Sequence, residues 1–165
     1  MRRSWLLAGG AVMLSIVALS GCVTKPTPAP PVDRALSQQI DSFRSSLLSL
    51  SAQTATTQEL AARIDRGDLV FATAMPTTID KTYLPSESDF VGRYESKVNG
   101  NAVEIMTLVF ASARASTLPA YVCVAWTVDP KAKTVSNKQV RCRADIRDAV
   151  TAVKAREESL SEVPN

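Results

Sequence analysis

The side chains that could do chemistry in this 165-residue chain are few: three cysteines, at positions 22, 123 and 142, and no histidine. Histidine is the commonest general base near neutral pH and a common metal ligand, so Ser/His/Asp and Cys/His catalysis are both closed to the chain. The thiols form no metal or redox motif, because no CxxC pair occurs and a zinc set draws its four donors mostly from cysteine and histidine. No serine stands three residues before a lysine, no GxSxG or GxxxxGK[ST] run is present, and 6 scattered glycines build no phosphate cradle. Arg66, Gly67 and Asp68 spell RGD, but at the end of a helix-forming stretch the glycine reads as a C-cap. The expectation is a protein that is not an enzyme and that holds no cofactor or metal.

Cys22 has a distinct context. Arg2 and Arg3 open the chain, residues 6–18 form an apolar run, and Ser20 and Gly21 follow, which is the order of regions in a secretory signal peptide. A spanning helix needs about 20 apolar residues, and this run is shorter and holds Gly9 and Gly10. Leu19, Ser20, Gly21 and Cys22 resemble the lipobox of bacterial lipoproteins. The resemblance implies cleavage before Cys22, a diacylglyceryl group on its thiol and an acyl chain on the new amino group. One chain alone holds a protein to a bilayer only marginally, whereas several together are effectively permanent. In that family an aspartate after the cysteine favours retention at the inner membrane. Here the residue is Val23, which implies the outer membrane and a periplasm-facing domain. With Cys22 lipidated in an oxidising compartment, the resemblance leaves Cys123 and Cys142 to form a disulfide. It would close a loop of about 20 residues and stabilise the fold by roughly 3 kcal/mol.

The chain divides accordingly into a signal peptide (1–21), a lipidated cysteine with a Pro-rich linker (22–33), a helical segment (34–67) and a sheet with a closing helix (68–165), the last two forming one domain. Pro26, Pro28, Pro30 and Pro31 favour an extended polyproline spacer, about 34 Å long over residues 23–33. Much of the formal charge of +3 comes from Arg2 and Arg3, so a processed chain is near neutral and no nucleic-acid partner is implied.

The elements that must carry these residues read as α+β: an N-terminal amphipathic helix or helix pair, an antiparallel hairpin sheet of about four to five strands, and a C-terminal helix. After Asp33, a candidate N-cap, Leu36, Ile40, Phe43, Leu47 and Leu50 recur at heptad spacing. They could line a self-associating coiled coil or pack on the chain's own domain. Thr56 and Glu59 have capping-box spacing, which starts a second short helix ending at Gly67. Residues 68–75 read as a first strand. Two β-rich runs flank Asn99, Gly100 and Asn101, a hairpin signal. A two-residue Asn99-Gly100 turn would set Glu95 opposite Glu104. A three-residue loop would instead pair Phe90 with Phe110 and Tyr94 with Met106, and is preferred because it avoids facing like charges. The next hairpin turns at residues 129–133, in a register expected to set Cys123 opposite Cys142 and Ala125 opposite Val140. Val122, Val124, Trp126 and Val128 form its core-facing stripe, and Ile146, Ala149, Val150 and Val153 the apolar face of a helix capped by Asp145.

Two functional classes remain. One is a structural or assembly protein that docks on a larger envelope machine, of secretion, conjugation or pilus type by analogy. The other is a stand-alone periplasmic binding or inhibitor module, whose ligand surface would involve Tyr83, Tyr94 or Trp126.

Overall fold

The structure, a computed structural model, describes residues 31–70, 72–77, 79, 84, 88–113 and 117–160. Helices α1 (Pro31–Ala52) and α2 (Thr57–Asp65) come first, followed by strands β1 (Thr73–Ala74), β2 (Phe90–Asn99), β3 (Ala102–Ala111), β4 (Ala120–Asp129) and β5 (Thr134–Gln139). Helix α3 (Ala144–Ala152) and strand β6 (Arg156–Glu157) complete the described chain. The sheet order is β1-β2-β3-β4-β5, with β6 beside β4, and the architecture is α+β as expected. The sheet is mixed: β1 on β2 and β6 on β4 are parallel, while the three central pairings are antiparallel.

Helix α1 begins at Pro31, so the last three residues assigned to the linker are helical and Asp33 lies in the first turn instead of capping it. Proline suits the opening of a helix, where its missing N–H has no intrahelical partner to lose. The remainder of the spacer lies outside the described residues. Leu36, Ile40, Phe43, Leu47 and Leu50 are buried against Ile105, Val124, Trp126 and Val128 in one apolar cluster. The heptad seam is therefore covered by the chain's own sheet, the second of the two arrangements its spacing allowed. Thr56 caps α2 as its spacing indicates: its hydroxyl accepts from Glu59 N at 3.1 Å, while the Glu59 carboxylate accepts from Ala55 N at 2.9 Å. Gly67, at φ 88°, closes the helix, so the RGD tripeptide is the C-terminal turn of α2.

The sheet is apolar on both faces. Val103, Ile105 and Val109 face α1 and α2, whereas Leu108 and Phe110 face a second cluster with Cys123, Cys142, Ile146, Ala149 and Val150. Alternation along β3 and β4 thus feeds two cores, which is why both strands are nearly continuous in apolar residues.

Several details depart from the sequence reading. The first strand is only Thr73–Ala74, and Val70 is exposed. The β2–β3 turn has two residues, but they are Gly100 and Asn101, with Asn99 facing Ala102. Gly100 has φ 60°, as the first position of a tight hairpin turn of this kind requires. Lys97 then faces Glu104, with 3.2 Å between Nζ and Oε2, so neither a Glu95–Glu104 pair nor a three-residue loop arises. Phe90 does face Phe110, because Tyr94 bulges out of the ladder and shifts the register by one; Glu95, not Tyr94, is opposite Met106. In the next hairpin Ala125 faces Lys138 instead of Val140. The Asp129 carboxylate accepts from Lys131 N and Ala132 N, both at 2.8 Å, and tightens the turn. Helix α3 has Arg143 at its N-cap and ends at Ala152, so Asp145 is inside the first turn, and the chain beyond turns back as β6.

Helix α1 and β4 run in the same direction. Asp33 in the first turn of α1 accepts from Arg156 Nη2 at 2.9 Å, and Arg156 pairs with Ala120 at the start of β4. At the other end, Lys133 Nζ donates to Ser51 O (2.8 Å) and Thr54 O (2.6 Å) from the turn that follows β4. The domain consequently has two ends, separated by about 33 Å of helix. One carries the start of α1, β6 and the Leu118–Pro119 loop; the other carries both hairpin turns.

Candidate functional site

Trp126 is fully buried among the α1-facing residues, its ring edge-on to Phe43 at 5.1 Å, and its Nε1 donates to Thr107 Oγ1 at 2.9 Å. It is a core residue with a satisfied polar atom and offers no ligand platform. Tyr94 lies on the opposite face of the sheet, and Tyr83 lies outside the described residues, as does Cys22. Tyr94 and Trp126 therefore cannot share a binding surface.

Cys123 and Cys142 are joined, with Cα atoms 5.3 Å apart. Cys142 lies beyond the end of β5, so the bridge ties β4 to the segment entering α3; it does not pin two paired strand positions. Val140 N donates to Cys123 O at 2.9 Å, occupying the place across from Cys123 that the sequence reading gave to Cys142.

Around the Tyr94 bulge the second face opens into a groove of about 210 Å³, lined by Tyr94, Glu95, Met106, Val140, Arg141 and Arg143. The bulge turns the Tyr94 ring toward the segment entering α3, where the Arg143 guanidinium lies 5.3 Å from its centroid. Arg143 also forks onto Asp145, with Nε to Oδ1 at 2.6 Å and Nη2 to Oδ2 at 2.7 Å. Asp145 Oδ2 accepts in addition from Ile79 N at 2.8 Å. The Arg143 hydrogen bonds hold the Asp145 carboxyl at about 2, against a burial penalty that pushes it up, and Ile79 N assists. Burial raises the Tyr94 phenol above its ordinary value. Arg143 is thus engaged by a carboxylate and a ring, and this cluster works as a clasp holding Ile79 to the start of α3. Nothing in the spacing of Tyr94, Arg143 and Asp145 pointed to it, because the bulge decides which side chains meet.

A larger groove of about 440 Å³ lies between the second half of α1 and the α2–β1 connection. Ser45, Ser46, Ser49 and Gln53 line its helical wall, and Val70 and the Arg63–Asp68 pair line the other. Arg63 Nε donates to Asp68 Oδ2 at 3.0 Å and Arg63 Nη2 to Gln53 Oε1 at 3.2 Å, which links the two walls. The Arg63 hydrogen bond lowers the Asp68 pKa. Apart from Asp68, noted only as part of the RGD tripeptide, spacing gave no sign of this groove, because it forms between the end of α1 and the α2–β1 connection.

Among the described residues no group of three or more His, Cys, Asp and Glu side chains is placed to hold a metal ion, and no helix is long and apolar enough to cross a membrane. Comparison with protein-family models, curated proteins and solved structures finds no match to this chain.

Proposed function

We propose that the chain is a lipid-anchored, periplasm-facing protein of the bacterial outer membrane that serves as a non-enzymatic structural or assembly component of an envelope complex. The observation that carries this reading is Leu19-Ser20-Gly21-Cys22 directly after the apolar run of a signal peptide, with Val23 following the cysteine. The Cys123–Cys142 bridge supports it, since disulfides persist in oxidising compartments. A secretion, conjugation or pilus assembly is the class of machine meant, by analogy with small lipoproteins of similar build. The test is affinity purification of the acylated protein from solubilised envelopes beside a Cys22→Ala control. Recovery of a defined multiprotein complex supports the reading; recovery of monomer alone contradicts it.

The α1–α2 groove favours a second reading, a periplasmic binding or inhibitor module. It predicts a thermal shift on adding wall fragments or a soluble ligand, abolished by Ser49→Trp, which fills the groove.

A further inference from the structure

We propose that the end of the domain built from the first turn of α1, the Leu118–Pro119 loop and β6 rests on the bilayer, with the Leu118 side chain entering the lipid interface. This rests on the acylated Cys22 of the preceding reading. Residues 23–30 separate that cysteine from the start of α1 at Pro31. Extended as polyproline they reach about 25 Å, less than the length of α1, so the start of α1 is the end of the domain tethered nearest the lipid.

The neighbours of that start are fixed by hydrogen bonds. Arg156 Nη2 donates to Asp33 Oδ1 at 2.9 Å, two residues after Pro31, and Arg156 N donates to Pro119 O at 2.7 Å. Leu118 is thus carried beside the tethered turn, and it is 58% exposed. The large apolar side chains exposed elsewhere are placed differently: Val98 adjoins the β2–β3 turn at the opposite end, and Leu48 and Val70 lie on the flank by the α1–α2 groove.

The charge at this end suits a lipid interface. Arg156 is paired with both Asp33 and Glu158, whose Oε1 is 2.6 Å from its Nη2, so that trio carries one net negative charge. Arg34 in the first turn of α1 and Lys154 two residues before β6 are exposed cations, and Glu157 in β6 is an exposed anion. Long cationic side chains can lay their stems along an apolar surface while the charge stays among headgroups, so Arg34 and Lys154 at this end do not oppose the entry of Leu118. Both hairpin turns then point away from the membrane, toward whatever the protein engages.

The test uses the acylated full-length protein reconstituted in vesicles of phosphatidylethanolamine with phosphatidylglycerol. Leu118→Cys and Val98→Cys are each labelled with an environment-sensitive fluorophore. With Cys22 acylated and Cys123 bridged to Cys142, the new thiol is the free one. The label at 118 is expected to shift to the blue and to be several-fold less accessible to aqueous iodide than the label at 98. Equal accessibility at the two positions overturns the proposal. The mass of the N-terminal peptide separates the two levels: acylation with equal accessibility sinks the orientation alone, whereas an unmodified Cys22 sinks the anchor and the orientation with it.

Discussion

The Trp126 indole N–H donates to the Thr107 hydroxyl across the centre of the sheet, with both residues fully buried beneath α1. The bond lets a large aromatic occupy the core without an orphaned donor, and it defines the first prediction. Thr107→Val keeps the shape and removes the acceptor, so it should cost about 1–3 kcal/mol, the penalty of an unpaired buried group. Trp126→Phe added to it should cost less than the two single changes together. Urea denaturation of the four proteins measures this, and strict additivity would refute the coupling.

The Arg143–Asp145 clasp predicts an acid limb. Asp145 titrates at about 2 when folded, below its ordinary 3.8. A depressed folded pKa gives stability that is fully present above the unfolded value and is lost as pH falls toward the folded one. Stability should therefore fall between about pH 4 and 2, and Asp145→Asn should flatten that limb while lowering stability at neutral pH. Asp68 and Glu104 are also shifted down, by Arg63 and by Asn99 with Lys97, but they stand at the surface, where screening leaves little of the effect. An unchanged acid limb in the variant would remove Asp145 from the account.

Lys133 reaches back from the β4–β5 turn to two carbonyls at the end of α1. A cation there adds to the bonds that Ser51 O accepts from Thr54 and meets the negative end of the helix dipole. Lys133→Met should cost about 1–2 kcal/mol. Hydrogen exchange should show the loss first in residues 47–54, and uniform loss across the domain would count against this assignment.

Reduction of the Cys123–Cys142 bridge should destabilise the domain by roughly 3 kcal/mol, the value expected for a loop of about 20 residues. Because the bridge ties β4 to the entry of α3, its loss should release α3 before it affects the β2–β3 hairpin. Exchange protection that falls equally in both would contradict this order.

The layered plan was legible because burial patterns announce themselves by period. Leu36 to Leu50 recur as a helix face and Val122 to Val128 as a strand stripe, and each packs as its spacing indicates. Register was less legible. The bulge at Tyr94 and the Asp129-tightened turn each move the pairing by a residue or two, and such shifts depend on backbone geometry that no period records. Hence Glu95 rather than Tyr94 faces Met106, and Cys142 falls past the strand. Strands β1 and β6, two residues each, are too short to show alternation at all. The grooves were invisible for a related reason: Arg63 of α2 reaches Gln53 beyond the end of α1 only in the folded chain, and Arg143 finds Tyr94 only because the bulge turns it.

The central claim, that Cys22 heads an acylated mature protein, is tested most directly by intact-mass and peptide mass spectrometry of the membrane fraction. The account predicts a chain beginning at residue 22 with a thioether-linked diacylglyceryl group and an amide-linked acyl chain, and retention of Met1 by the Cys22→Ala variant. A soluble chain whose Cys22 carries a free thiol would contradict it.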